Sequence, residues 1–383
     1  MSRRTPHFAE PLHVGRPNIG DRERLLERFI DLLDRRWLTN DGPYLQEFEQ
    51  RLAEYLGVRH CVAVCNATIG LELAIRALDM TGEVIVPSFT FPATAHALAW
   101  LGVTPVFADV DPTTHTLDPA AVERLVTPRT TGILGVHVWG RSCDVAGLDD
   151  VAERHGLKVL YDAAHALGCT QRGQMLGNFG DAEVFSFHAT KFVNAAEGGA
   201  ITTNDDDLAA RLRRMRAFGL ERGEVCDVGT NAKMNELSAA MGLTSLESVD
   251  DFIARNRINL AAYERALAGI PGVRLLSPPP FEQSNCQYIV VEVEARDAGQ
   301  TRDQLVAKLH EENVLAKKYF SPGCHRMEPY RAAHEATGRR LPQTDRLCDR
   351  LLQLPTGTAV DESMIASIGT ILGNLAIGRR RAA

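Results

Sequence analysis

Two strings in this chain gather residue types that could form an imine and hold a flat, electron-poor ring: Tyr161-Asp162-Ala163-Ala164-His165 and Ser186-Phe187-His188-Ala189-Thr190-Lys191. Each follows a short apolar run. A lysine placed just past a buried strand loses solvation, which lowers the cost of giving up its proton and makes it a usable imine-forming nucleophile. Taken singly, a lysine is more often exposed. An aspartate at the end of the apolar strand LKVLY would be an uncompensated buried charge unless it met a cation, and a protonated pyridine nitrogen is such a cation. The plain alternative is a helix cap, the reading given to Asp109 and Asp111 nearby. Two further strings accompany these. Asn66-Ala67-Thr68-Ile69-Gly70 opens a helix after the strand HCVAVC. A helix start of this kind leaves backbone N–H groups free to cradle a phosphate, with the Thr68 hydroxyl beside them. An ordinary Asn or Thr cap accounts for the same residues. Pro87-Ser88-Phe89-Thr90-Phe91 offers aromatic rings for stacking on a flat group or for filling core.

These strings need a frame that brings them to one place. Between about Gly57 and Asn204, β-branched runs (HCVAVC, EVIVP, TPVFADV, TGILGVHV, LKVLYD, AEVFSF, GGAITT) alternate with helical patterns such as TIGLELAIRAL and VAGLDDVAERHG. That alternation predicts an α/β fold, a mainly parallel sheet with helices on both faces, which places ligands at the strand ends. Residues 22–37 and 44–56 read as amphipathic helices. Asp205–Phe218 reads as a charged helix, and one long helix is expected over about 235–269. The cluster SPPPFEQSN marks a boundary, and a smaller C-terminal α+β domain follows. The expected division is 1–250 for the large domain with its N-terminal helices and 251–383 for the small one.

With 383 residues, two domains are the natural expectation. The hydrophobic share of 45% and charged share of 24% fit a folded globular chain, and a net charge of -7 gives no general attraction to nucleic acid or an anionic membrane. No signal-peptide pattern and no stretch of about 18 apolar residues is found, so a cytoplasmic protein without a membrane span is expected. Eight cysteines at 61, 65, 143, 169, 226, 286, 324 and 348 form no CxxC pair. Reduced thiols and no zinc site are therefore expected. His310-Glu311 and His334-Glu335 each lack the second histidine of a zinc protease, and the first strand is not followed by the glycine fingerprint of a dinucleotide fold.

From about Leu38 onward the chain resembles the nucleotide-sugar aminotransferases of the DegT, DnrJ and StrS group, through LTNDGPYLQEFEQRLAEYLG, PSFTFPATAHAL, DAAHALG, SFHATKFVNAAEGGAI, GTNAKMNELSAAMG and LPQTDRLCDRLLQLP. The resemblance implies a fold type I aminotransferase dependent on pyridoxal 5′-phosphate. It implies that Lys191 binds the cofactor through an imine, that Asp162 pairs with the pyridine nitrogen and that Phe91 stacks on the ring. Ala67, Thr68 and Ser186 would hold the phosphate, His165 would contact the phenolic oxygen, and His188 would line the wall. Asn231 would reach the phosphate of a neighbouring subunit, which makes the protein a homodimer with shared sites. Lys317, Tyr319 and His325 fall in a segment that resembles the family's sugar-facing loop. The implied partners are an amino-acid donor, glutamate by family habit, and a nucleotide-linked 4-keto-6-deoxy sugar aminated at C4. A 3-keto sugar aminotransferase, or a pyridoxal-phosphate enzyme forming an aromatic amine by transamination and elimination, is the alternative. The lysine at 191 argues against the related dehydratases, where the resemblance implies histidine. The chain departs from the family pattern at Phe192, at Ala196 where glycine is frequent, at Trp139 and in Arg141-Ser142-Cys143.

Overall fold

The computed structural model describes residues 5–279 and 282–377. Its centre is a seven-stranded sheet built from β1 (His60–Val64), β2 (Glu83–Pro87), β3 (Thr104–Ala108), β4 (Thr130–Val136), β5 (Lys158–Asp162), β6 (Ala182–Ser186) and β7 (Gly199–Thr203). The spatial order is β1-β7-β6-β5-β4-β2-β3, with β7 antiparallel to both neighbours and the other pairs parallel. The apolar runs follow from this. Successive residues of one strand enter different cores: Leu160 packs on one face with Val64, Leu134 and Val184, while Val159 and Tyr161 pack on the other with Ile85 and Ile133. Both faces are covered, so neither set can be polar.

Helices α1 (Arg22–Arg35), α2 (Pro43–Leu56), α3 (Ala67–Ala77) and α4 (Pro92–Trp100) match the apolar periodicity. The Asn66 side chain accepts the Ile69 N–H at 2.9 Å, so it does cap α3. The single helix expected over 235–269 is two, α5 (Glu236–Glu247) and α6 (Val249–Leu267), parted at Ser248. Hydroxyls back-bond the chain there: Thr244 to the Ala240 carbonyl at 2.8 Å and Ser248 to that of Thr244 at 3.4 Å, a pattern that weakens and bends helices.

The expected division at 250 falls in the first turn of α6. Beyond it β8 (Val273–Leu275), β9 (Ile289–Val293) and β10 (Leu351–Leu354) form an antiparallel sheet in that order. Together with α6, α7 (Arg302–Glu311) and α8 (Glu362–Ile377) it closes a separate core around Tyr263, Val291, Leu305, Leu352 and Ile368. Leu12 joins that core, and Leu12–His13 pairs in parallel with Val314–Leu315. Residues 7–13 are therefore bonded to the C-terminal unit. Among the described residues no helix is long and apolar enough to cross a membrane, and no cluster of three His, Cys, Asp or Glu could hold a metal ion. All eight cysteines are free thiols.

Candidate active site

A cavity of about 550 Å³ opens where β1, β5 and β6 end, and Asp162, His165, Ser186, His188 and Lys191 all line it. A larger one of about 990 Å³ lies beyond Tyr288, which lines both, but holds neither the lysine nor the aspartate. The chemistry belongs to the smaller cavity.

Lys191 sits in a loop closed by backbone bonds from its own N–H to the His188 carbonyl and from Ala189 to Ala196, 2.8 and 2.7 Å. Burial lowers its pKa from an ordinary 10.5 to about 8; Asp162 opposes this shift and Lys317 adds to it. Its Nζ lies 3.4 Å from the Tyr288 hydroxyl. Asp162 is 6% exposed, and burial raises its pKa. The Thr94 hydroxyl (2.8 Å) and the Ala164 N–H (3.1 Å) donate to it, with Lys191 and His137 as the nearby positive influences. A protonated ring nitrogen would supply the full counter-charge that this carboxylate lacks.

His165 is held neutral by burial, its pKa well below the ordinary value. Its Nδ1 accepts the Trp139 N–H at 3.1 Å, which leaves Nε2 to carry the hydrogen as a donor. Phe91 is 53% exposed and lines the cavity, an apolar ring with a free face. Ala67 and Thr68 open α3 against the same space, beside Ser186. Gly199 lets that turn come so close: a Cβ there would fall 2.7 Å from the Ala67 nitrogen. Neutral N–H groups at a helix start, an exposed ring, a carboxylate short of a cation and a lysine of depressed pKa together suit the four parts of pyridoxal phosphate.

Lys317 and Tyr319 line the cavity too, with Nζ 3.5 Å from the Tyr319 hydroxyl. His325, expected beside them, does not. It is buried; the Ser88 hydroxyl accepts its backbone N–H at 2.9 Å and meets Nδ1 at 2.6 Å, while Nε2 lies 3.1 Å from Asp345. With both ring nitrogens engaged, it serves the junction between the units and has nothing to offer a sugar. Asn231 is exposed and outside this chain's cavity, accepting from Lys233 at 2.7 Å. Sequence reasoning passed over Thr94, which links Thr90 (2.8 Å) to Asp162, and Gln287, whose amide donates to the Thr190 carbonyl at 2.9 Å. The four-residue spacing from Thr90, just before α4, to Thr94 in its first turn was the available signal for the first. Nothing local pointed to the second.

Comparison with known proteins gives a consistent result. The profile of the DegT/DnrJ/EryC1/StrS aminotransferase family matches residues 20–372. A dTDP-4-amino-4,6-dideoxy-D-glucose transaminase of Escherichia coli is 34% identical over 365 residues, 94% of this chain and 97% of that protein. A GDP-perosamine synthase of Caulobacter vibrioides is 39% identical over 332 residues, 85% and 88% of the two chains. A crystal structure of DesI in the presence of its TDP-sugar product superposes with a TM-score of 0.94 at 51% identity, covering 99% of this chain and 96% of that one.

Proposed function

The chain belongs to the DegT/DnrJ/EryC1/StrS aminotransferase family, and from that premise we propose that it transfers an amino group from an amino-acid donor, glutamate, to C4 of a thymidine-diphosphate-linked 4-keto-6-deoxyhexose. The product is the 4-amino-4,6-dideoxy sugar nucleotide. The observation that carries the reading is the pairing, in one cavity, of a lysine with pKa about 8 and a buried carboxylate short of a cation. The C4 assignment draws on relatives whose names specify 4-amino-4,6-dideoxyglucose or a TDP-sugar product.

Pyridoxal phosphate supplies an electron sink when bound, and the chain's residues decide where it sits and where protons go. The α3 N-terminus, Thr68 and Ser186 would hold its phosphate, Phe91 and Ala164 lie on the walls where its ring would fit, and Asp162 would keep the ring nitrogen protonated. The Nε2–H of His165 is a donor for the phenolic oxygen. Lys191, whose lowered pKa makes the uncharged amine accessible near pH 8, accepts at Nζ the proton leaving the donor's α-carbon and returns one to the sugar's C4. Lys317 places a positive charge at the cavity for the anionic substrates. Asn231 would complete the phosphate site of a second copy.

The test is direct. The purified enzyme with glutamate and thymidine-diphosphate 4-keto-6-deoxyglucose should give a product with nitrogen at C4 by NMR, with one equivalent of 2-oxoglutarate. Nitrogen at C3, or turnover confined to free keto acids, rejects the assignment.

A further inference from the structure

The segment that opens the chain runs outside the span matched to the family, yet it reaches the centre of the site. Leu12–His13 is hydrogen-bonded beside Val314–Leu315, two residues before Lys317, and Leu12 is buried in the small unit's core. The next two residues, Val14 and Gly15, line the cavity with Lys191, Gln287 and Tyr288. Gly15 turns the chain over the lysine loop with φ +77, and a Cβ there would lie 3.0 Å from the Thr190 Cβ and 3.1 Å from its carbonyl oxygen. Only glycine allows that approach.

Asn18 then ties the segment down. It is 3% exposed and spends its polar groups on two other parts of the chain. Its amide donates to the Phe192 carbonyl at 3.1 Å, and its backbone carbonyl accepts from the Asn194 amide at 2.9 Å. Its side-chain oxygen accepts from the Thr358 N–H at 3.1 Å and hydroxyl at 2.9 Å. A buried amide bonded at both its nitrogen and its oxygen fixes its neighbours in a single arrangement. The strap thus enters the cavity between the lysine loop, through Gly15, and the strand leading to Lys317, through His13.

We propose that this strap, residues 12–18, is a specificity-determining wall of the active site, with Val14 the residue that meets the sugar nucleotide and Asn18 the positioning residue that holds the wall. The inference rests on the sugar-nucleotide reading above. Lys317 and Tyr319 stand beside the strap, so the space it bounds is where a substrate must lie. The amino-acid donor is the smaller of the two substrates, so crowding at a wall residue is felt first by the sugar nucleotide.

Val14 is half-buried, so its size can be changed without filling or emptying the core. In Val14→Phe holoenzyme, the KM for the keto sugar nucleotide relative to the KM for glutamate should rise about tenfold, the scale on which pocket walls discriminate by size. Val14→Ala should move the ratio the other way. Independently of turnover, hydrogen exchange at the amides of residues 12–16 should slow when the keto sugar nucleotide is added to wild-type holoenzyme. Asn18→Ala should abolish that slowing. A ratio unmoved in both Val14 variants, or strap exchange indifferent to the sugar, overturns the proposal. Failure of the reading beneath it looks different: wild-type enzyme would then turn over no nucleotide sugar, and the strap assignment would fall with it.

Discussion

The side chains around Lys191 act through their burial more than through their charge. In the cofactor-free protein, the folded state holds Lys191 at a pKa of about 8 against 10.5 when unfolded. Between those values the unfolded chain binds more protons at this group, so its contribution makes stability rise with pH across that window and stay level below about 8. Chemical unfolding of the apoprotein at several pH values checks the sign, with Lys191→Met flattening the trend. The rate of cofactor uptake should likewise climb through pH 8 and not wait for 10. For Asp162, breaking a buried charge pair costs about 3–5 kcal/mol, so Asp162→Asn should lower kcat by roughly 10²–10⁴-fold while some cofactor still binds. Thr94→Val removes one hydrogen bond to the same carboxylate, worth about 1.5–3 kcal/mol for a charged acceptor, and should cost about tenfold or more. Wild-type turnover in either variant would mean that the ring nitrogen has another partner. Lys191 and Asp162 were legible in the sequence because each follows an apolar run that can only be a strand. Thr94 and Gln287 were not, because their value lies in an approach between segments that local pattern does not encode.

At the scale of elements, the lysine loop carries a visible strain. Ala196 stands at φ 60, in the left-handed region, and its carbonyl closes the loop by accepting the Ala189 N–H at 2.7 Å. Glycine takes up that conformation freely, whereas alanine in it costs about 1–2 kcal/mol, offset in part by the extra freedom that glycine loses on folding. Ala196→Gly should therefore stabilise the protein by roughly 0.5–1 kcal/mol and raise Tm by about 1–3 °C by scanning calorimetry. An unchanged or lower Tm would mean that the loop relaxes at no cost. The sheet and its flanking helices were legible from alternation alone. The break at Ser248 was not, because Leu, Ala and Glu on both sides carry a helical pattern straight through it. The strap was not legible either, since residues 12–18 have no periodicity of their own and take their shape from Thr190, Asn313 and Phe192.

For the whole molecule, the proposed sharing of sites calls for a second copy. Phe218, Leu220, Val225 and Val228 are exposed in the segment leading to Asn231, and Leu26, Ile30 and Leu33 are exposed on α1. Exposed apolar side chains of this kind are the groups a second copy would cover in the proposed dimer. If Asn231 completes the partner's site, mixing inactive Lys191→Ala with Asn231→Ala subunits should restore up to about a quarter of wild-type activity, because half the dimers are mixed and one site in each mixed dimer is intact. No recovery despite proven exchange would count against shared sites. The junction between the two units carries a different lesson. Ser88, His325 and Asp345 are the three residue types of a serine hydrolase's triad at hydrogen-bonding distances, yet the ring is turned, with Nδ1 toward Ser88 and Nε2 toward Asp345, Ser88 has no exposed surface, and its oxygen already accepts the His325 backbone N–H. The same residue types that make an acylating nucleophile when they face a cleft make a clasp when they are buried against each other. A fluorophosphonate probe, which tags hydrolytic serines across whole proteomes, should therefore leave this protein unmarked until it is denatured.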